Sequence, residues 1–399
     1  MKSTAQAVVI GGGIAGASIA YFLAKLGVKD VLLLEKEGLA SGATGKSAAL
    51  VRMHYTNPWD ALLALRSWEL FREWDHIGGQ CGFKETGFLM VGSHEEAAKV
   101  RANVKMLKHL GVNTHALSPE DVKLLQPFMN VEDIGAAAYE PESGFADGSD
   151  TVHSLVEGAK KLGVKVKQGT SVEKLKVEGG KVKGVVLRDG EIDSPIVVLA
   201  AGAWSKALAN TAGVDLPLKI RSIFAGVVQR PPSIKTHMVV IDRVTNTYFR
   251  PDTADLTLLG LRSQKPEEQE SRDVESAPSE FKNDDIAFSV KKLTNRIPTM
   301  NDASLKRIWM GVDGFTPDGH CILDKAPGVA GLYLAVGFSG TGFKVGPAVG
   351  RCMAELIVHD KTATVDIKAF RLSRFKEGKP LYGAHEYGVV GEAGRGWMA

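Results

Sequence analysis

The start of the chain constrains the fold most. Ala7-Val8-Val9-Ile10 is an apolar run, and Gly11-Gly12-Gly13-Ile14-Ala15-Gly16 follows it directly. A helical pattern covers 17–26, Gly27 closes it, and a second apolar run, Val31-Leu32-Leu33-Leu34, ends on Glu35. Strand, tight turn, helix, strand and acid is the order of a dinucleotide-binding unit. Gly11 permits the turn, Gly13 lets a pyrophosphate approach the backbone, and Gly16 lets the helix pack on the strand. The helix start, with Ile14 and Ala15, offers N–H groups and a partial positive charge to phosphates. Glu35 stands nineteen residues beyond Gly16, where a carboxylate accepts hydrogen bonds from a ribose diol.

Lys2 ahead of an apolar run invites a secretory reading. A signal core ends at a small-residue cleavage site, however, and does not contain three glycines. No apolar run reaches the ~20 residues of a membrane span. The expectation is a soluble, unprocessed chain. Its 399 residues exceed one ordinary core, so two domains are expected. Forty-nine basic residues against 46 acidic ones leave +3, which argues against nucleic acid or an anionic membrane as a main partner. Cys81, Cys321 and Cys352 are odd in number and far apart, as reduced thiols of a cytoplasmic protein would be. No paired Cys or His spacing points to a metal.

Residues 41–47 read Ser-Gly-Ala-Thr-Gly-Lys-Ser. They end like a triphosphate loop, but Ala40 stands where that motif needs its first glycine. Lys36, Thr44, Gly45, Lys46 and Ser47 are therefore read as skirting the cofactor, with a plain surface loop as the alternative. Helical patterns cover 58–77, 95–110, 118–125, 151–162, 286–297 and 345–359, and 84–91 reads as one strand. Residues 195–201 are a continuous apolar run, as in a buried parallel strand, and lead into Gly202-Ala203-Trp204. Short strands crowd 217–263, with antiparallel pairing the simplest reading. Residues 264–285 read as an exposed loop. A last apolar strand, 331–336, runs through Gly337-Phe338-Ser339-Gly340-Thr341-Gly342-Phe343-Lys344 into a helix, so a Gly-rich turn opens a helix twice.

These features resemble the flavoprotein amine and amino-acid oxidoreductases of the D-amino-acid-oxidase type, the sarcosine, dimethylglycine and glycine oxidases above all. The resemblance runs over about 5–376. It rests on the glycine turn with Glu35, Val51-Arg52 with Tyr55, 197–204, Thr316-Pro317-Asp318 and 337–344. It implies an α/β fold: a Rossmann-like, glutathione-reductase-like FAD-binding domain (1–55, 145–220 and 310–376) and a mostly antiparallel substrate domain (56–144 and 221–309), with 377–399 as an arm. It implies FAD held by Gly11, Gly13, Gly16 and Glu35 at the ADP half, Val172 at the adenine, Ala201, Gly202 and Trp204 near the pyrophosphate, and Gly340, Thr341, Gly342 and Phe343 at the flavin. Arg52 and Lys344 fall on the positions that clamp a substrate carboxylate. A cation at a helix start opposes the helix dipole, so Lys344 asks for an anion nearby. His54, Tyr55 and Tyr248 are candidates to keep the amine neutral while hydride passes to the flavin, and Arg250 is a second carboxylate partner or a sheet-edge charge.

Two departures matter. Counting back from Pro317, the flavin-linking cysteine of monomeric sarcosine oxidase corresponds to Gly311, which implies noncovalent FAD. Counting forward from Pro251, the oxygen-activating lysine corresponds to Leu259, which favours a dehydrogenase. The expected partner is a small carboxylate-bearing amine. A second copy, or a subunit that accepts electrons, is left open, and the aromatic arm suits a partner surface or a self-packed tail equally. The competing classes are an NAD-dependent dehydrogenase, which has no need of the second glycine turn, and an electron-passing subunit.

Overall fold

The structure, a computed structural model, describes residues 2–388. The apolar runs assemble into a six-stranded sheet in the order Lys165–Lys167, Val31–Leu34, Ala7–Ile10, Val197–Leu199, Leu332–Val336, Ile322–Lys325. Five strands run parallel and the last is antiparallel. Both faces of this sheet are covered. Ala7–Ile10, Val31–Leu34 and Val197–Leu199 are buried throughout, which is why they read as unbroken apolar runs. Val9, Leu33 and Val198 pack against Ile19, Leu23, Leu155 and Val349 on the helical side. Val8, Leu32 and Val197 pack against Val172, Leu175 and Ile192 of a four-stranded sheet on the other side.

Helices Ile14–Lys25 and Gly342–His359 touch closely. A Cβ on Gly346 would lie 2.5 Å from Ile14 Cγ1, and one on Gly350 would lie 2.3 Å from Ser18 Cβ. This register means the two helices run in the same direction, and both begin at the carboxyl ends of the strands. The two glycine corners, more than 300 residues apart in sequence, therefore open on one side of the sheet.

A nine-stranded sheet forms the second layer system, with strands drawn from 88–140 and 219–315. Pairing is antiparallel except at one junction: Val239–Asp242 runs parallel to Phe88–Gly92. Three expected domain limits fall inside strands, because Gly144–Phe145, Lys219–Gln229 and Ser304–Phe315 cross the limits after 144, 220 and 309. The expected single strand 84–91 is broken. Gly87 adopts φ +77°, so Lys84–Glu85 joins a small three-stranded sheet while Phe88–Gly92 enters the large one. Helix 58–77 is also two pieces, Pro58–Arg72 and a single tight turn, Trp74–His76. Ala136–Glu140 is a strand that the sequence conceals, since alanine is a poor strand former. Pairing between Phe88–Gly92 and His115–Leu117, with all but Tyr139 buried, decides its conformation.

Candidate active site

A cavity of about 550 Å³ lies where the two corners meet. Gly11, Gly13, Ile14, Ala15, Glu35 and Lys36 line one end, with Val172 beside them. Thr44, Lys46, Ser47, Ala201, Gly202 and Trp204 line its middle. Gly311, Gly340, Gly342, Phe343 and Lys344 line the other end.

At the early corner, Gly11 holds φ +110°, and a Cβ there would stand 2.4 Å from the Ala200 carbonyl oxygen. Gly13 caps the first helix without a side-chain bond, while Thr44 Oγ1 accepts from Ile14 N at 3.1 Å. Glu35 accepts from Gly12 N at 2.7 Å and Glu37 N at 2.8 Å. Those bonds fix its carboxylate at the wall and leave further lone pairs for a diol. Lys36 Nζ stands 4.0 Å from the centre of the Trp204 ring. A Cβ on Gly202 would meet nothing within 4 Å, so space opens directly off the backbone.

Gly16, Gly45 and Thr341 are not among the residues lining the cavity. Gly16 serves packing: its Cβ would fall 1.9 Å from Gly11 O. Gly45 likewise sits 2.4 Å from Ala40 O by the same measure. Thr341 turns its hydroxyl onto Phe338 O at 2.7 Å.

At the late corner the helix Gly342–His359 starts with no side-chain cap and no acid in its first turn. Its positive end faces the cavity. Asp313, which sequence reasoning missed, lines this wall and takes Gly340 N and Gly314 N on its two oxygens, each at 2.8 Å. Burial pushes its carboxyl up to about 6. The available signal was an acid in the apolar end of a strand, two residues after Gly311.

Arg52 and Lys344 both line the cavity and both are buried. Burial, and then the nearby Arg52 charge, hold the Lys344 ammonium well below its ordinary pKa. Among the described residues no hydrogen bond or ion pair reaches Lys344. Leu50, Ile223, Ile241 and Tyr248 line the cavity on the side of the large sheet. Burial raises the Tyr248 phenol above its usual pKa, so at neutral pH it is a hydrogen-bonding group rather than an anion.

The other substrate-side candidates lie elsewhere. His54 points to Tyr387, with Nε2 2.8 Å from the phenol oxygen, and burial followed by Arg52 and Arg243 lowers its pKa to about 3. Tyr55 is buried beneath the Arg52 guanidinium, 4.7 Å from its ring centre. Arg250 is a brace: it donates to Ala48 O at 2.6 Å, Pro251 O at 2.8 Å and Asp252 Oδ1 at 3.1 Å. Leu259 lies on the opposite face of the large sheet, in a cluster with Phe249 and Leu293. An ungapped count therefore picked the wrong face, because side chains alternate along a strand, and Leu259 carries no information about oxygen.

The arrangement is a cradle for a long, phosphate-bearing ligand that ends between two buried cations. The chain belongs to the family of FAD dependent oxidoreductases of the DAO type, whose pattern matches residues 6–356. It is 31% identical over 385 residues to human mitochondrial sarcosine dehydrogenase, covering 94% of this chain and 42% of that protein. It is 27% identical over 378 residues to rat mitochondrial dimethylglycine dehydrogenase, covering 90% and 43%. The chain thus spans less than half the length of these two relatives. The crystal structure of L-proline dehydrogenase from P. horikoshii superposes with a TM-score of 0.88 at 27% identity, covering 96% of this chain and 100% of that one. No helix among the described residues is long and apolar enough to cross a membrane.

The residues present fit FAD. The glycine cradle and helix start suit the pyrophosphate, Glu35 suits a ribose, and the uncapped late helix start would suit negative charge on a flavin edge.

Proposed function

We propose that this chain oxidises the carbon–nitrogen bond of a small secondary or N-methylated amino acid to an imine, which water then hydrolyses. The observation that carries this reading is that Arg52 and Lys344 line the same cavity, with no hydrogen-bonded or ion-paired carboxylate on Lys344 among the described residues. Bound FAD supplies the hydride acceptor.

Arg52 offers a planar fork and Lys344 a point charge to one substrate carboxylate. An incoming carboxylate counters both causes of the low Lys344 pKa and favours the ammonium form. Leu50, Ile223 and Ile241 surround the substrate body with apolar groups, and a desolvated amine holds its proton weakly. Tyr248 can hydrogen-bond that neutral amine. The start of helix Gly342–His359 favours negative charge that develops beside it.

FAD is held without a covalent link in this reading. Among the described residues neither a cysteine nor a histidine lines the cavity, and Gly311 lies against Lys46, where an added Cβ would be 3.2 Å from Lys46 Cβ. Sarcosine, dimethylglycine and proline, named in the relatives, share a carboxylate beside a secondary or tertiary amine, which supports the same substrate class here.

The test is an anaerobic titration of the yellow holoprotein with sarcosine, dimethylglycine and L-proline. Bleaching of the flavin by at least one is expected, with all flavin released on acid precipitation. A colourless protein that binds no FAD, or a yellow one that no secondary or tertiary amino acid bleaches, overturns the reading.

A further inference from the structure

Residues 381–388 run back over the molecule as a strap. Leu381 N donates to Asp318 Oδ2 at 3.0 Å. Gly383 passes so close to Thr56 that a Cβ would stand 1.9 Å from its carbonyl oxygen. Thr56 Oγ1 donates to Glu386 Oε1 at 2.7 Å, and Asn103 Nδ2 donates to His385 O at 3.0 Å. Arg243 donates to Gly388 O at 2.7 Å and lies 4.5 Å from the centre of the Tyr387 ring.

Tyr387 itself is buried, nearly parallel to His54, with its hydroxyl on His54 Nε2. His54 Nδ1 is buried with no partner among the described residues, so Tyr387 is the polar tether of that ring. The imidazole is neutral at working pH, and the contact is a hydrogen bond rather than an ion pair. On the cavity side, the His54 carbonyl accepts from Arg52 Nη1.

Residues 52–55 have no regular secondary structure. Nothing like a helix or a sheet ladder holds them rigid, so side-chain anchors must. Met53 N donates to Glu140 Oε2 at 2.9 Å on one side, and the strap presses on the other. A clamp for a carboxylate needs its guanidinium held within a fraction of an ångström.

We propose that Tyr387 is a positioning residue: through His54 it fixes the carbonyl that orients the Arg52 guanidinium, so the C-terminal strap completes the carboxylate clamp. The inference rests on the reading of Arg52 as a carboxylate ligand. Tyr387 touches neither substrate nor cofactor, and its effect belongs in affinity rather than in the chemical step.

The test uses the FAD-loaded holoenzyme and acetate, a carboxylate without an amine, whose binding is followed by its perturbation of the flavin spectrum. Tyr387→Phe removes only the hydroxyl. Loss of one neutral buried hydrogen bond predicts a three- to tenfold rise in the acetate Kd, a matching rise in substrate KM, and kcat within about twofold of the parent. Flavin content and Tm are expected to stay close to those of the parent. Tyr387→Ala, which also frees the ring contact with Arg243, is expected to raise both constants further. An unchanged acetate Kd in Tyr387→Phe, with or without a fall in Tm, overturns the proposal. Arg52→Met separates the two claims. If Arg52→Met loses acetate and Tyr387→Phe does not, the strap inference alone fails. If Arg52→Met binds acetate as the parent does, the reading of the clamp fails with it.

Discussion

Two buried cations flank the turn at residues 337–341, and they are treated in opposite ways. Arg374 is fully enclosed and fully matched. Its Nε and Nη2 reach Asp318 at 2.8 and 2.9 Å, and its remaining donors go to the carbonyls of Phe370, Arg371 and His320. Below the same turn, Asp60 and His320 form a second enclosed pair at 2.7 Å. Burial opposes charge on both, yet each partner's charge wins: the Asp60 carboxyl is pulled down and the His320 imidazole is pushed up. Lys344 is buried to a similar degree, and among the described residues no carboxylate pairs with it directly; the Asp60 charge only partly offsets its burial. An unmatched buried charge costs several kcal/mol. A fold keeps one where something outside the chain supplies the partner. Pairing, not burial, separates Arg374 from Lys344, and in the proposed reading a substrate carboxylate supplies the partner that Lys344 lacks.

The largest effect expected from this contrast is on the matched side. Asp318→Asn strands the Arg374 charge and should cost about 3–5 kcal/mol in denaturant unfolding. A cost under about 1 kcal/mol would erase the distinction. Lys344→Met should do the reverse. Carboxylate affinity should fall about 10- to 150-fold, the worth of a charged hydrogen bond at about 1.5–3 kcal/mol, and Tm should hold or rise because an unmatched charge is gone. Lys344→Met destabilised like Asp318→Asn would break the contrast.

The histidines sharpen it through pH. Burial lowers His54 to about 3 and His237 to about 4, so both are neutral when folded and take a proton when unfolded. Their stability contribution is present above about pH 6.5 and is lost as pH falls. Together they should cost about 2 kcal/mol between pH 6.5 and pH 5.5, and His237→Asn should remove about half of that slope in pH-dependent melts. His320, raised by Asp60, has the opposite sign: its contribution is complete below the unfolded pKa and fades at high pH. The smallest effect is Arg52→Lys, which keeps the charge and loses the fork. About fivefold weaker acetate binding, near 1 kcal/mol, is expected. An effect as large as that of Lys344→Met would mean that the fork, not the charge pair, dominates.

Much of the early corner was legible because its information is local. The turn, the helix and the acid lie within thirty residues, and each glycine answers to a neighbour in the same unit: Gly16 to Gly11, Gly12 to Glu35. The second glycine turn was legible as a turn for the same reason. Helix ends were readable to within a few residues where caps exist, as at Ser118, whose side chain and Asp121 form a reciprocal capping box. The surroundings of Arg250, His54 and Leu259 could not be read from the sequence, because chain position gives neither the direction of a side chain nor the face of a sheet. Asp313 was missed because its value lies in two backbone amides, one of them from a turn 27 residues away.

The sequence by itself determined that this chain carries a dinucleotide corner early, a second helix-opening turn late, and an alternating, strand-rich region between them. Periodicity, glycine and capping act over a few residues, and a few residues suffice to read them. Only the tertiary structure decided that the two corners face the same way, that Lys344 lacks a carboxylate while Arg374 has one, and that the chain's own strap reaches the back of Arg52. Those facts depend on which groups meet across hundreds of residues, and the free energy of a buried charge is set by its neighbours in space.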